Sequence, residues 1–373
     1  MAEQYIEVDP DPPEPCQSHE PNSETTSLAA SIYHGVTENG RRYQTTREGD
    51  YWGPCDAQQF ESQEVGHTIC QLLDTNTDNQ FFQAPVEDPK HILDMGTGKG
   101  SWAVDVADRY PTVRRSGLFQ KRLPTKRAAI IRGVDLYPPP TEWVPPNCYM
   151  EVEDLLLSWT WRSPFDLIHL RFMTGSWTPE DWNTIYKRCY DNLAPEGWIE
   201  QLEIDPQIRC DDDSLPPNAS IRYLVAATTE AGSNWNHHLD TSETMRASIE
   251  NAGFIDIREK SYRWAIGPWL NDARSKEAGR LHYYQWLSGM EGWVLRFLTQ
   301  WARPEPWTQE EVQALLDKVR EELGNPEYHM YQNVRRVWAR KPTEAEFNLR
   351  ETEIITLDDL EANVSPSRHW WWR

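Results

Sequence analysis

The chain alternates short apolar runs with stretches of helical periodicity. His91-Ile92-Leu93-Asp94-Met95 is a run of buried-strand length that carries an acid near its end. Past glycines at 96, 98 and 100, Trp102, Ala103, Val106 and Ala107 recur at helical spacing until Tyr110-Pro111 stops them. Further strands are predicted over 130–136, 148–152, 165–170, 198–204, 254–266 and 331–339. Helices are predicted over 61–74, 178–193, 240–253, 271–301 and 308–324. Three helix starts carry capping signals. Thr178-Pro179-Glu180-Asp181 joins a hydroxyl, a first-turn proline and acids at the positive end of the helix dipole, and Asp240/Glu243 and Thr308/Glu311 read as capping boxes. Strands alternating with helices predict an α/β fold with a mostly parallel sheet covered on both faces.

The glycine turn narrows the ligand. A strand ending in an acid, followed by glycines that let backbone approach a ligand and then by a helix start, is a nucleotide-type site. The dinucleotide pattern G-x-G-x-x-G needs glycine at 101, where Ser101 stands. Asp94 would also sit poorly beside a pyrophosphate. It suits a ligand with an amino group and a sulfonium, as in S-adenosylmethionine. Asp135, at the second strand tip, is placed to accept both ribose hydroxyls, and Asp154, at the third, to accept from the adenine amino group.

Composition removes several alternatives. A net charge of −22 argues against nucleic-acid binding over a broad face. Six cysteines with no C-x-x-C pair suit reduced thiols better than disulfides or zinc. No apolar run approaches 18 residues and no basic–apolar leader opens the chain, so a cytoplasmic enzyme without a membrane span is expected. Residues 1–27 hold seven acids, five prolines and no Lys or Arg, the composition of a disordered segment. The segment 343–373 reads as an acidic tail. Residues 114–132 carry seven Lys or Arg and no acid. Asp135 follows Gly96 by 39 residues, where about 20 is usual in such units. The excess is an insertion, read either as a basic surface loop or as a retained intron in the gene model.

Taken together, the residues resemble a class I S-adenosylmethionine-dependent methyltransferase, and within that group the fungal LaeA-like family. The stretches that carry the resemblance include Tyr51-Trp52-Gly53-Pro54, Ile92-Leu93-Asp94-Met95-Gly96-Thr97-Gly98, Gly133-Val134-Asp135-Leu136 and Trp143-Val144-Pro145-Pro146-Asn147. Others are Phe165-Asp166-Leu167-Ile168-His169-Leu170-Arg171, Met173-Thr174-Gly175-Ser176, Gly197-Trp198-Ile199-Glu200 and Ala339-Arg340-Lys341-Pro342. The match spans roughly 31–342. It implies a Rossmann-like sheet of seven strands with a reversed final hairpin and a helical lid over 268–324. It also implies cofactor contacts at Asp94, Gly96, Thr97, Gly98, Gly100, Asp135, Leu136, Asp154 and Leu155, with Arg171 near the cofactor's far end. The chain departs from the family at Cys55 and Gln58-Gln59, in the N-terminal cover helix, and at Glu196, where a glycine is usual.

Methyl transfer needs a base only if the acceptor must first lose a proton. Candidates are His169, Glu203, Asp205 and His237-His238, each with a plain structural alternative. Thr228, Glu230 and Tyr283-Tyr284-Gln285-Trp286 fall in helices expected to cover the acceptor. No metal site is expected. Three functions follow: a small-molecule methyltransferase of fungal secondary metabolism, a LaeA-like regulator acting through protein partners (in the nucleus, in that case), and a nicotinamide-dependent oxidoreductase, which Ser101 and Asp94 disfavour.

Overall fold

A computed structural model of the chain describes residues 33–74, 81–111, 128–139 and 143–349. The N-terminal segment 1–30, the insertion over 114–127 and the tail beyond 349 fall outside the described residues. A short hairpin, β1 (Val36–Glu38) and β2 (Arg41–Tyr43), precedes helix α1 (Ala57–Leu73). The α/β core follows as β3 (His91–Met95), α2 (Ser101–Arg109), β4 (Ile130–Asp135), β5 (Cys148–Val152), β6 (Phe165–Arg171), α3 (Pro179–Asn192) and β7 (Leu193–Ile204). Then come α4 (Ser220–Asn234), α5 (Thr241–Asn251), β8 (Ile255–Ala265), α6 (Ala273–Arg296) with a wider last turn at Phe297–Trp301, α7 (Gln309–Leu323) and β9 (Tyr331–Arg340).

Seven strands form one sheet in the order β5-β4-β3-β6-β7-β9-β8. Five run parallel, and β9 inserts antiparallel between β7 and β8, giving the expected reversed hairpin. The chain leaves β3 for β4 on one side and returns to β6 on the other. The carboxyl ends of β3, β4 and β6 therefore border a switch-point crevice, where open α/β sheets bind ligands.

Capping chemistry sets several boundaries. Thr178 accepts from Asp181 N at 3.1 Å, and Thr308 and Glu311 make both halves of a capping box. The Asp240 box is not made. Its ψ of 17° lacks the extended geometry that turns a cap side chain onto the helix, so only its carbonyl serves, accepting from Glu243 N at 2.8 Å. Helix α1 opens earlier than the apolar pattern indicates, because Asp56 accepts from Gln59 N at 3.0 Å. Glu196, the family's glycine position, holds φ at +64°, a left-handed backbone that glycine adopts without strain.

Two features tie the sheet to its surroundings. Arg336 on β9 is buried between Asp74 at the end of α1 and Glu200 on β7, with ion pairs to both. Tyr262 donates to Asp74 at 2.7 Å, and Gln83 N and Ala84 N donate to Glu200 at 2.7 and 2.8 Å. The second feature is Asn147, 2% exposed, whose Nδ2 lies 3.0–3.1 Å from the carbonyls of Ala107, Tyr110 and Ala129. Ala129 N also donates to Tyr110 O at 3.2 Å, so the insertion leaves and re-enters the fold at one hydrogen bond. Excising residues 112–127 should therefore leave the thermal midpoint within about 2 °C and the ligand affinity unchanged, since surface-loop length costs little. Differential scanning fluorimetry and a binding titration of the shortened chain check this.

The lid builds its own apolar core. Val294, Leu295 and Leu298 pack with Leu224 of α4 and with Leu316 and Val319 of α7. It docks closely on α1. A Cβ at Gly289 would lie 2.3 Å from Ser62 Oγ, and one at Gly66 would lie 2.7 Å from Gln285 Nε2.

Candidate functional site: two joined cavities

Two cavities open at the carboxyl ends of the strands. The first, about 850 Å³, is lined by Gly96, Thr97, Gly98, Asp135, Leu136, Asp154, Leu155 and Arg171, among others. Its floor is the glycine turn. Gly96, Gly98 and Gly100 hold φ at +66°, +57° and +88°. A Cβ would meet Met173 Sδ at 2.3 Å from Gly96 and Gln63 Oε1 at 2.4 Å from Gly98, so both the conformation and the space require glycine. Asp135 Oδ2 accepts from Gly98 N at 2.8 Å, joining the second strand tip to the turn. Burial pushes the Asp135 carboxyl up to about 6, against the pull of its backbone N–H bonds.

Two residues expected at the ligand lie off the cavity wall. Gly100 caps α2, and Asp94, 3% exposed, sits beneath the turn. Asp94 accepts from Thr97 Oγ1 at 2.6 Å and meets His169 Nδ1 at 2.8 Å. The pairing follows from sheet register, in which Asp94 lies beside His169 across β3 and β6. His169 stacks on Trp102, ring centroids 3.8 Å apart, and burial depresses its pKa. Asp94 and His169 thus brace the turn from below.

Glu203 is likewise a bracing group. It accepts from Met173 N, Thr174 N, Thr174 Oγ1 and Gln201 Nε2 at 2.9–3.1 Å, fixing the turn after β6, and burial pushes its pKa up to about 7. Asp205 pairs with Arg209, and His237 is buried against Trp235. None of His169, Glu203, Asp205, His237 or His238 lines either cavity.

Among the wall residues that the periodicity reading missed are Gln63 and His67. They sit one turn apart on α1, and a polar pair at i and i+4 on an otherwise buried face was the available signal. His67 Nε2 meets Asp105 at 2.8 Å, and its Nδ1 lies 3.2 Å from Arg171 Nη1. A chain of polar contacts thereby holds the Arg171 guanidinium at the cavity.

The second cavity, about 1150 Å³, lies under the lid. Its wall is mostly apolar: Trp52, Ile204, Leu224, Val225, Trp264, Trp286, Trp293 and Phe297. Thr228 and Gln285 contribute as expected from the sequence, whereas Glu230 is exposed and Tyr284 turns outward to Glu61. Tyr51, Gln63 and Phe172 belong to both walls, so the cavities share a boundary. Phe172 reaches it from φ +58°, a costly conformation for a bulky residue and one that concentrates at functional sites.

Relatives resolve what this pair of cavities belongs to. The methyltransferase pytC of Aspergillus terreus is 31% identical over 339 residues, covering 90% of this chain and 96% of the relative. The secondary metabolism regulator LAE1 of Cochliobolus heterostrophus is 34% identical over 313 residues, covering 82% and 94%. The chain belongs to the LaeA-like family of S-adenosylmethionine-dependent methyltransferases. A third member, the protein-methionine methyltransferase laeA of Emericella nidulans, is 30% identical over 319 residues, covering 82% of this chain and 76% of that one. No family model matches the chain. As a methyltransferase of fungal secondary metabolism, it needs a methyl acceptor as well as a donor. Among the described residues no helix is long and apolar enough to cross a membrane, and no cluster of His, Cys, Asp or Glu suits a metal ion.

Proposed function

We propose that the chain methylates a small molecule, with S-adenosylmethionine in the cavity over the glycine turn and the acceptor in the cavity under the lid. The observation that carries this reading is the shared boundary. Methyl transfer is an in-line displacement, and two cavities meeting at Tyr51, Gln63 and Phe172 let donor and acceptor face each other across that boundary. The first cavity fits the cofactor: bare glycine backbone, an acid at Asp135 for paired hydroxyls, and a guanidinium at Arg171 for a carboxylate. When bound, the cofactor supplies a methyl group already activated on sulfur. The protein's part is alignment. Asp135 and Gly98 fix the nucleoside end, Arg171 with His67 behind it fixes the amino-acid end, and Phe172 with Gln63 shapes the passage between cavities.

A cytoplasmic tailoring role suits the lidded apolar cavity, while kinship with regulators supports a second reading in which protein partners mediate the effect. Binding and metabolite profiling test both. Isothermal titration should give micromolar S-adenosylmethionine binding and none for NAD; uptake of NAD alone would overturn the cofactor assignment. A deletion strain should accumulate one product short by a methyl group. Broad loss of many metabolites would favour the regulator.

A further inference from the structure

Three Lys or Arg side chains line the cavity over the glycine turn, and two of them are already paired. Arg47 meets Asp50, and Lys99 lies 3.4 Å from Glu64. Arg171 forms no ion pair among the described residues. Its neighbours are neutral: the Phe172 ring, 5.5 Å from the guanidinium carbon, the Cys70 thiol and the His67 ring. A half-buried guanidinium without an anion has given up hydration that the fold does not return. Its remaining donors are left for an anionic group on the ligand.

The contact with His67 governs how that guanidinium is held. Arginine only donates, so His67 Nδ1, 3.2 Å from Arg171 Nη1, is the unprotonated acceptor of the pair. The proton of the neutral ring is then on Nε2, and Asp105 Oδ2 stands 2.8 Å away to accept it. A carboxylate on one ring nitrogen thereby selects the tautomer that can receive Arg171 on the other. Asp105 lies on α2 and lines neither cavity, yet it reaches His67 on α1, which is 4% exposed. Gln71, one turn further along α1, donates to the same carboxylate oxygen and holds it from a second side. Without that carboxylate the ring is free to carry its proton on Nδ1, where donor would face donor.

We infer that Asp105 is a positioning residue: through the tautomer of His67 it aims Arg171 at the α-carboxylate of the cofactor. Selection for the cofactor's amino-acid end therefore depends on a side chain outside the cavity. This rests on the proposed placement of S-adenosylmethionine over the glycine turn.

The test compares two thioethers of adenosine by isothermal titration into the full-length protein. S-adenosylhomocysteine carries the amino-acid tail, 5′-methylthioadenosine ends in a methyl group, and neither requires methyl transfer. Wild type should prefer the first by about 100-fold, within the worth of charge-assisted hydrogen bonds to one carboxylate. Arg171→Leu should cut that preference by about tenfold or more and leave methylthioadenosine affinity unchanged. Asp105→Leu combined with Gln71→Leu, which leaves the Nε2 proton no acceptor from either residue, should cut it about tenfold in the same way. Added to Arg171→Leu, that pair of changes should have no further effect, because it acts through the same group. Asp105→Asn, whose amide oxygen still accepts, should hold the preference within about threefold of wild type. If the Asp105/Gln71 variant does not fold, His67→Phe, which keeps a ring and loses both contacts, carries the same expectation. The inference is overturned if wild type binds the two ligands alike, if the Asp105/Gln71 variant keeps the wild-type preference, if it weakens both ligands equally, or if its effect adds in full to that of Arg171→Leu. Absence of any S-adenosylmethionine or S-adenosylhomocysteine binding by wild type counts against the proposed function. A preference lost in Arg171→Leu but kept without Asp105 and Gln71 counts against the inference alone.

Discussion

Exchanging Asp135 for alanine should weaken S-adenosylmethionine binding about 100-fold while leaving the fold intact. In the proposed reading its carboxylate accepts the cofactor's paired hydroxyls. Charge-assisted hydrogen bonds contribute about 1.5–3 kcal/mol each, so losing two exceeds the ~2.8 kcal/mol that 100-fold requires. The same carboxyl predicts a pH dependence. Burial raises it to about 6 in the free protein, and only its ionised form accepts both hydroxyls. Affinity should be flat from about pH 6.5 to 7.5 and fall toward tenfold per unit below 6. Asp135→Ala should remove that slope. Isothermal titration from pH 5 to 7.5 checks both statements; a pH-independent wild type would remove Asp135 from the cofactor contacts.

Arg336→Met should destabilise the protein by about 3–5 kcal/mol, the usual consequence of stripping one partner from a buried ion pair. Among the described residues Arg336 is the cation paired with both Asp74 and Glu200, and both acids are almost wholly buried. Methionine fills much of the volume, so the loss is electrostatic. Replacing all three residues by apolar ones should recover only part of it, because the unpaired charges go but Tyr262 and the Gln83 and Ala84 N–H groups lose their acceptors. Urea denaturation of the single and triple variants decides; equal destabilisation of the two would locate the effect in packing.

The core was readable because its signals are local. Apolar strands, the spacing of three glycines and the caps at Thr178 and Thr308 each need only a few neighbouring residues. The N-terminal hairpin at Val36–Tyr43 escaped because neither three-residue strand shows a period. Asp240 failed as a side-chain cap because its backbone angle, set by the turn before it, is not encoded in the S/T/D-x-x-E pattern.

The site was legible unevenly for the same reason. Asp135, Leu136, Asp154, Leu155 and Arg171 follow strand ends and do line the cavity. Asp94 also follows that rule, yet its carboxyl is drawn under the turn by His169, 75 residues away, through a strand register no local pattern specifies. Glu203 looked like a free acid and is committed to four donors from the next turn and a neighbouring amide. His282 lines the second cavity because α6 packs on the end of β8, where its Nδ1 lies 3.1 Å from Ala265 O, and no local pattern signals that placement.

The closure at Tyr110 and Ala129 has a practical meaning. It lies at the amino-terminal edge of β4, across the sheet from both cavities, so chain length there is uncoupled from the chemistry. A fluorophore or affinity handle grafted between those two residues should leave ligand affinity unchanged.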